Sequence, residues 1–416
     1  MAEVRQLPAS VAQRLLWVLE QFRGQDGAAN CPIVLRLRGP LDEARLEDGL
    51  SALTERHESL RTTFKGRGAR LTQLVHEPRP VRLGRTDLTS DDPDRGLGEA
   101  IAGEVRVPVD ASRWPARMTL FRLADDDHCL CVNLNHAVTD GSSCALVVRD
   151  LQSLTGGGPP LPKVRWQYAR FCQWQEEWLA GPEMREDQTY WTDHLRDARV
   201  PRLPLRDAKP AEWVSASATG TIDAPTVTAL EQIARNRHTT LASALLALYY
   251  LVLRGITGDD DLAVASFLSN RTRVELRDTV GLMANMTVLR THVGSADDFG
   301  ELLRRTHDTA MGAFVHQRLP YQLLSGGTLT EPGRRADDVM FQVVPELPGN
   351  LRVAGADAEI VVVDRLASRF ECEFQIYPQY GEQRVVLCYN SARLDDHLAA
   401  RLVGDYIATA KAVTSR

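Results

Sequence analysis

His136, Asp140 and Gly141 stand in the run Asn133-Leu134-Asn135-His136-Ala137-Val138-Thr139-Asp140-Gly141-Ser142-Ser143. Histidine exchanges a proton near neutral pH, so an imidazole in such a setting invites general acid-base chemistry. Residues 129–134 before it read as a buried strand. Residues 143–154 after it read as an amphipathic helix with apolar positions at Ala145, Leu146, Val148 and Leu151. His136 therefore sits where a strand runs into a helix start, and the first N–H groups of that helix are open to an anion. A plainer reading also fits so short a pattern: Asp140-Gly141 ends the strand in a turn, and His136 merely packs.

Other reactive side chains are weaker candidates. Seven cysteines lack paired C-x-x-C spacing; Cys129 and Cys131 alternate along the strand, and Cys144 lies in the following helix. Buried small hydrophobes explain them better than disulfides, a zinc site or a nucleophile. His57, in Arg56-His57-Glu58, reads as structural, and His128 after Asp125-Asp126-Asp127 as part of a solvated hairpin turn. His292, His307 and His316 lack metal-ligand spacing and read as helix or strand surface. Arg165 and Arg170 beside Trp166 and Tyr168 read as a solvated amphipathic helix, with a cationic-aromatic contact surface as the alternative.

The elements that must hold the motif follow from periodicity. A connector, Thr155-Gly156-Gly157-Gly158-Pro159-Pro160-Leu161-Pro162, gives a division into 1–162 and 163–416. The first part reads as helix 10–23, strand 31–38, helix 42–55, strands 59–64 and 71–76, helix 95–106, strands 117–123 and 129–134, then the motif and its helix. The second opens with a tryptophan-rich helix, 166–178, and a short one at 190–195. A helix at 240–253 is apolar on most faces and should be buried. Strands follow at 261–267, 286–293, 339–345, 358–363, 371–377 and 384–390, and a helix at 394–412. Mixed sheets covered by helices, an α/β (α+β) class, satisfy this order.

Composition narrows the function classes. At 416 residues the chain is long enough for two or three ordinary cores, and 44% apolar with 25% charged residues suits a soluble globular protein. The formal charge of −6 argues against a nucleic-acid partner. Among 49 basic residues only Lys65, Lys163, Lys209 and Lys411 are lysines, read as coding bias and not a binding device. No segment has the length of an apolar membrane span, and the start lacks a signal peptide's apolar core, so the expected compartment is the cytoplasm.

Several ordered segments resemble one family, the condensation domains of nonribosomal peptide synthetases, within the fold class of chloramphenicol acetyltransferase. Ser10-Val11-Ala12-Gln13-Arg14-Leu15-Leu16-Trp17 is similar to its opening helix motif, and Arg56-His57-Glu58-Ser59-Leu60-Arg61-Thr62-Thr63-Phe64 to its second. The active-site motif departs in that Asn135 replaces the first of two adjacent histidines. Tyr190-Trp191, residues 240–258, Asn270-Arg271, residues 281–290 and His316-Gln317-Arg318-Leu319-Pro320-Tyr321 resemble later motifs.

The resemblance implies two lobes of that fold forming a V-shaped pseudo-dimer with a tunnel between them. It implies amide formation: an acyl thioester on the phosphopantetheine of a carrier protein is attacked by an amine, carrier-bound or free, in nonribosomal peptide (antibiotic) biosynthesis. The chain itself is expected to bind no cofactor, metal, nucleic acid or membrane. His136 is the implied base or hydrogen-bond acceptor, and the Gly141 N–H the implied oxyanion donor. Asp140 is expected to point into an arginine ion pair, with Arg271 as first partner and Arg61 behind it. Asn135 should still shape the loop through hydrogen bonds, and it argues against heterocyclisation, which needs Asp there. Ser142, ahead of Ser143, stands where the family often has a bulky aromatic. With no adenylation or carrier segment recognised, the chain is expected to act in trans or to come from a larger synthetase. Ester formation, a silent partner-recruiting role and an epimerase-like role remain as alternatives.

Overall fold

The computed structural model describes residues 4–23, 27–88, 92–206, 214–294, 298–324, 330–331, 334–345, 351–363 and 370–415. The chain divides into two compact units. The first comprises Met1–Gly181, Arg271–Ala284 and Leu347–Val363; the second comprises Pro182–Asn270, Asn285–Glu346 and Asp364–Arg416. The Gly/Pro connector thus lies inside the first unit, and two later segments return to that unit.

The first unit is built on a six-stranded sheet ordered Leu351–Val353, Ala356–Ile360, Asn30–Arg38, Asp127–Asn135, Ala116–Ala124, Gly84–Asp87. Its neighbours are antiparallel except the last pair, which is parallel. The helices of this unit are α1 (Val11–Arg23), α2 (Glu43–Arg56), α3 (Pro93–Arg106), α4 (Gly141–Leu154) and α5 (Tyr168–Ala180). Leu130, Val132 and Leu134 join Ile33, Leu35 and Leu37 in one core with Leu46, Leu50 and Leu53 of α2 and Val147, Val148 and Leu151 of α4. Cys129 and Cys131, on the alternate positions, are buried as well. A strand buried on both faces explains the unbroken apolar run before the motif. A small antiparallel sheet of Arg5–Pro8, Thr72–Val75 and Thr62–Lys65 completes the unit.

The second unit has its own six-stranded sheet, ordered Asn285–His292, Asp261–Leu268, Val339–Val343, Cys372–Gln379, Glu382–Asn390, Ser215–Ile222. Its helices are α6 (Glu183–His194), α7 (Ala224–Asn236), α8 (Leu241–Thr257), α9 (Phe299–Val315) and α10 (Asp396–Thr414). The central helix α8 is buried from Ser243 to Tyr250 and again at Val252 and Leu253, as its largely apolar sequence requires. It stops at Gly258, whose φ of 75° is the left-handed conformation glycine adopts cheaply. Among the described residues no single helix is long and apolar enough to cross a membrane. The bent pair α7 and α8 is long and apolar enough together, but α8 spends its apolar surface on this unit's core.

The mixed α/β class and most elements agree with the sequence reading. Residues 59–61, expected as strand, instead form the end of a 3-10 turn, Glu58–Arg61, because the Leu60 N–H closes back on the His57 carbonyl. The helix expected at 190–195 begins seven residues earlier, at Glu183. Elements absent from the reading include the strands Arg5–Pro8, Gly84–Asp87 and Ser215–Ile222 and the helices α7 and α9.

Candidate active site

The strand Asp127–Asn135 delivers the motif loop, and α4 receives it. His136 opens a single 3-10 turn, His136–Val138, with its backbone N–H on the Ala29 carbonyl at 2.7 Å. Its Nδ1 lies 2.7 Å from the Thr139 carbonyl oxygen. A carbonyl can only accept, so Nδ1 carries the proton and Nε2 is the basic nitrogen of the neutral ring. The side chain is partly exposed while its neighbours Asn135 and Ala137 are buried. An imidazole held in one tautomer and still reachable is equipped to accept a proton.

Asp140 is tied into the loop on every side. It is 1% exposed and caps α4, accepting from the Ser143 N–H at 2.7 Å. Arg271 meets the same carboxylate through both terminal nitrogens, at 3.1 and 3.2 Å. The backbone N–H groups of Met283 and Ala284 add two contacts at 3.0 Å. Burial alone would drive the carboxyl pKa up. The Arg271 charge and the Ser143 donors outweigh it, and the group is held below the usual carboxylate range. Asp140 is therefore a fixed anion with its lone pairs occupied.

Ser143 is the second node of this network. Its Oγ accepts from Arg271 at 2.8 Å and from the Gly281 N–H at 3.0 Å, and lies 2.9 Å from the Gly281 carbonyl. Gly281 is required by close approach: a Cβ there would fall 2.0 Å from the Tyr168 ring. Gly141 begins α4 and is exposed, and its N–H, at the first helical position, has no acceptor within the helix. Ser142 is partly exposed.

Asn135 is buried and makes three hydrogen bonds. Oδ1 accepts from the Ala137 N–H at 2.8 Å, and Nδ2 donates to the Val109 carbonyl at 2.8 Å and to Glu20 at 3.0 Å. A neutral histidine offers one acceptor and one donor, whereas an asparagine offers an acceptor and two donors. The loop is thus fastened at the position where the sequence departs from the family pattern.

Arg61 is not a partner of Asp140. Its Nε donates to the Thr54 carbonyl at 3.2 Å and its Nη1 to the His76 carbonyl, so it closes the turn after α2. Arg271, the first partner expected, fills the role because residues 271–284 fold back into the first unit beside α4.

Sequence reasoning missed two devices. The first is Asp150, fully buried in α4, which accepts from Arg56 at 2.7 Å and His57 at 2.8 Å and pairs with Arg149 at 2.7 Å. It links the Arg56-His57 motif to the helix behind His136, and only the polar residue on an apolar helical face signalled it. The second is Gln13 of α1. Gln13 and Ser10 cap each other's backbone N–H, and Gln13 Nε2 reaches the Ala137 carbonyl at 2.8 Å. The Ser-x-x-Gln spacing carried that signal.

Several of the other candidates are drawn into packing or ion pairs. His128, expected in a solvated turn, is buried, although Asp125 and Asp126 before it are exposed. His316, expected on a surface, stacks on Tyr190 at 4.0 Å and meets Asp187 at 2.8 Å. Trp166 has the guanidinium of Arg170 at 5.0 Å and that of Arg273 at 5.1 Å, while Tyr168 is buried. All seven cysteines are reduced thiols, and burial pushes the Cys144 pKa up, away from a thiolate nucleophile. Among the described residues no group of three or more His, Cys, Asp or Glu side chains is placed to hold a metal.

Comparison with known proteins identifies the family. The family model for the condensation domain matches residues 3–416. Chondramide synthase cmdD of Chondromyces crocatus is 32% identical over 412 residues, covering 95% of this chain and 10% of that protein. A linear gramicidin synthase of Brevibacillus parabrevis is 34% identical over 330 residues, covering 76% of this chain and 6% of that protein. The chain thus spans a tenth or less of these two curated relatives. The crystal structure of the X-domain from teicoplanin biosynthesis has the same fold, with a TM-score of 0.82 at 22% identity over 100% of this chain and 96% of that one. With its motif in place and the match running nearly end to end, the chain belongs to the condensation-domain family.

Proposed function

We propose that this chain catalyses amide formation between an acyl thioester, presented on the phosphopantetheine of a carrier protein, and an amine acceptor. The observation that carries this reading is the partly exposed His136, held by the Thr139 carbonyl with Nε2 as its basic nitrogen. The amine nitrogen forms a bond to the thioester carbon, Nε2 takes the amine proton, and the phosphopantetheine thiolate leaves and is reprotonated from the imidazolium. The Gly141 N–H at the start of α4 is the donor proposed to face the tetrahedral oxyanion. A thioester is already activated, so positioning can supply much of the rate, up to roughly 7–11 kcal/mol, and proton transfer at His136 the rest. No bound cofactor takes part in this scheme. A cytoplasmic setting, where carrier proteins are loaded, suits it.

The test loads candidate acyl groups on a carrier protein, offers an amine or an alcohol, and follows transfer by intact-mass analysis. Wild type should form amide, and His136→Ala should lose at least about 10²-fold in kcat. Transfer that survives His136→Ala unchanged would leave positioning alone as the mechanism. Ester without amide would reassign the acceptor, and no transfer with tight binding of a partner enzyme would favour a recruiting role.

A further inference from the structure

The second unit holds a cleft of about 260 Å³ between α8, α9 and the strands Asp261–Leu268 and Val339–Val343. Its origin lies in the sheet. The strands Asp261–Leu268 and Val339–Val343 pair at Met340 and Ala265, and beyond that point the Gln342 side chain accepts the Phe267 N–H at 2.9 Å in place of a backbone carbonyl. The cleft opens against that irregular end.

Its lining is mostly apolar, with Leu246, Phe267, Leu289 and Phe341 on the walls and Met311 and Phe314 from α9. His307, Ala310, Met311 and Phe314 recur at the spacing of one helical face. Met311 and Phe314 are 45% and 53% exposed, large apolar side chains left in water at this cleft. Among the described residues no Asp, Glu, Lys or Arg lines it. A polar chain enters it: Thr240 Oγ1 lies 2.9 Å from Ser243 Oγ, which lies 3.0 Å from His307 Nδ1. Hydroxyls can pass a hydrogen bond either way, so the imidazole presents Nε2 as donor or as acceptor according to the direction of the chain.

We propose that this cleft is a binding site for a neutral amphiphile, an acyl or alkyl chain ending in an amide or hydroxyl head. The apolar walls take the chain, and His307 takes the head with the polarity it offers. An anionic head is disfavoured because the described lining has no cation to pair with it. The site stands independently of the chemistry assigned to His136.

The experiment titrates the whole chain by calorimetry with N-methyl alkanamides from butanoyl to decanoyl, and with an alkyl sulfate of equal chain length. Affinity should rise about three- to fourfold per added CH₂ until the cleft is full. Ala310→Trp, which fills the cleft, should weaken binding at least tenfold. Met311→Trp, at a partly exposed position that keeps the core intact, should weaken it several-fold if Ala310→Trp fails to fold. His307→Phe should cost about two- to tenfold for the amide. The proposal is overturned by no saturable binding in the wild type, by equal affinity in the folded filling variants, or by an alkyl sulfate that binds as tightly as the amide.

Discussion

Both halves of α4 bury a carboxylate against arginine, yet they differ in what stands beside it. Asp140, at the N-terminus, has Arg271 and three backbone N–H groups as donors, and its neighbour His136 rests on a neutral carbonyl. Asp150, in the helix body, meets Arg56, Arg149 and the His57 ring itself. His57 is 1% exposed and spends Nε2 on that carboxylate, whereas His136 rests Nδ1 on the Thr139 carbonyl and stays partly exposed. Two imidazoles in two motifs thus have opposite assignments. His57 is locked between a carboxylate and the core, whereas His136 is oriented by a carbonyl and keeps part of its side chain exposed, as the proposed role of base requires.

The largest expected effect tests the N-terminal half. Asp140→Ala takes the carboxylate from Arg271, which keeps only the neutral Ser143 and Thr279 oxygens among its described acceptors, and removes the acceptor of the Met283 and Ala284 N–H groups, a loss of about 3–5 kcal/mol. Soluble yield and Tm should both fall, and an unchanged Tm would remove the structural role given to Asp140. Asp150→Ala should cost less, about 2–3 kcal/mol, because Arg149 is 37% exposed and can turn to water. If urea denaturation ranks Asp150→Ala above Asp140→Ala, the contrast between the two halves is wrong.

Asn135→Ala removes three hydrogen bonds and leaves the Ala137 N–H and Val109 carbonyl without their partner, an expected loss of about 2 kcal/mol. Asn135→Asp keeps the acceptor but sets a carboxylate against Glu20, so it should not restore stability. A stable Asn135→Asp would contradict the hydrogen-bond pattern.

The smallest effect is a pH slope. Burial, the dominant influence, holds His57 below the ordinary histidine pKa in the folded chain despite Asp150. The unfolded chain therefore binds that proton more readily, and folded-state stability falls as pH drops below about 6.5 until the depressed folded pKa is reached. His57→Gln, which retains a donor for Asp150, should flatten the slope between pH 7 and 5.5. An identical slope in the variant would assign the titration elsewhere.

Most of the first unit was legible because its signals are local. Alternation in the strand Asn30–Arg38 and the apolar face of α4 fix those elements from short windows. The strand Ser215–Ile222 was not legible: Ser, Ala, Thr and Gly carry little β preference, and pairing with Glu382–Asn390 decides its state. In α9 the charges of Arg304, Arg305 and Asp308 break up the apolar stripe that Leu302, Leu303 and Ala313 bury. At the site, the Asp140–Arg271 pair was expected from the family resemblance, and the return of residues 271–284 to the first unit is what brings Arg271, and not Arg61, to that carboxylate. The Ser143 and Asp150 nodes depend on partners more than ninety residues away in the chain, a separation no window spans.

The tautomer of His136 tests the central claim most directly. In a long-range ¹H–¹⁵N NMR spectrum near neutral pH, with His136→Gln as the assignment control, Nδ1 should carry the proton and Nε2 should appear unprotonated. A ring protonated at Nε2 and bare at Nδ1 would contradict the geometry, and with it the assignment of His136 as the group that accepts the amine proton.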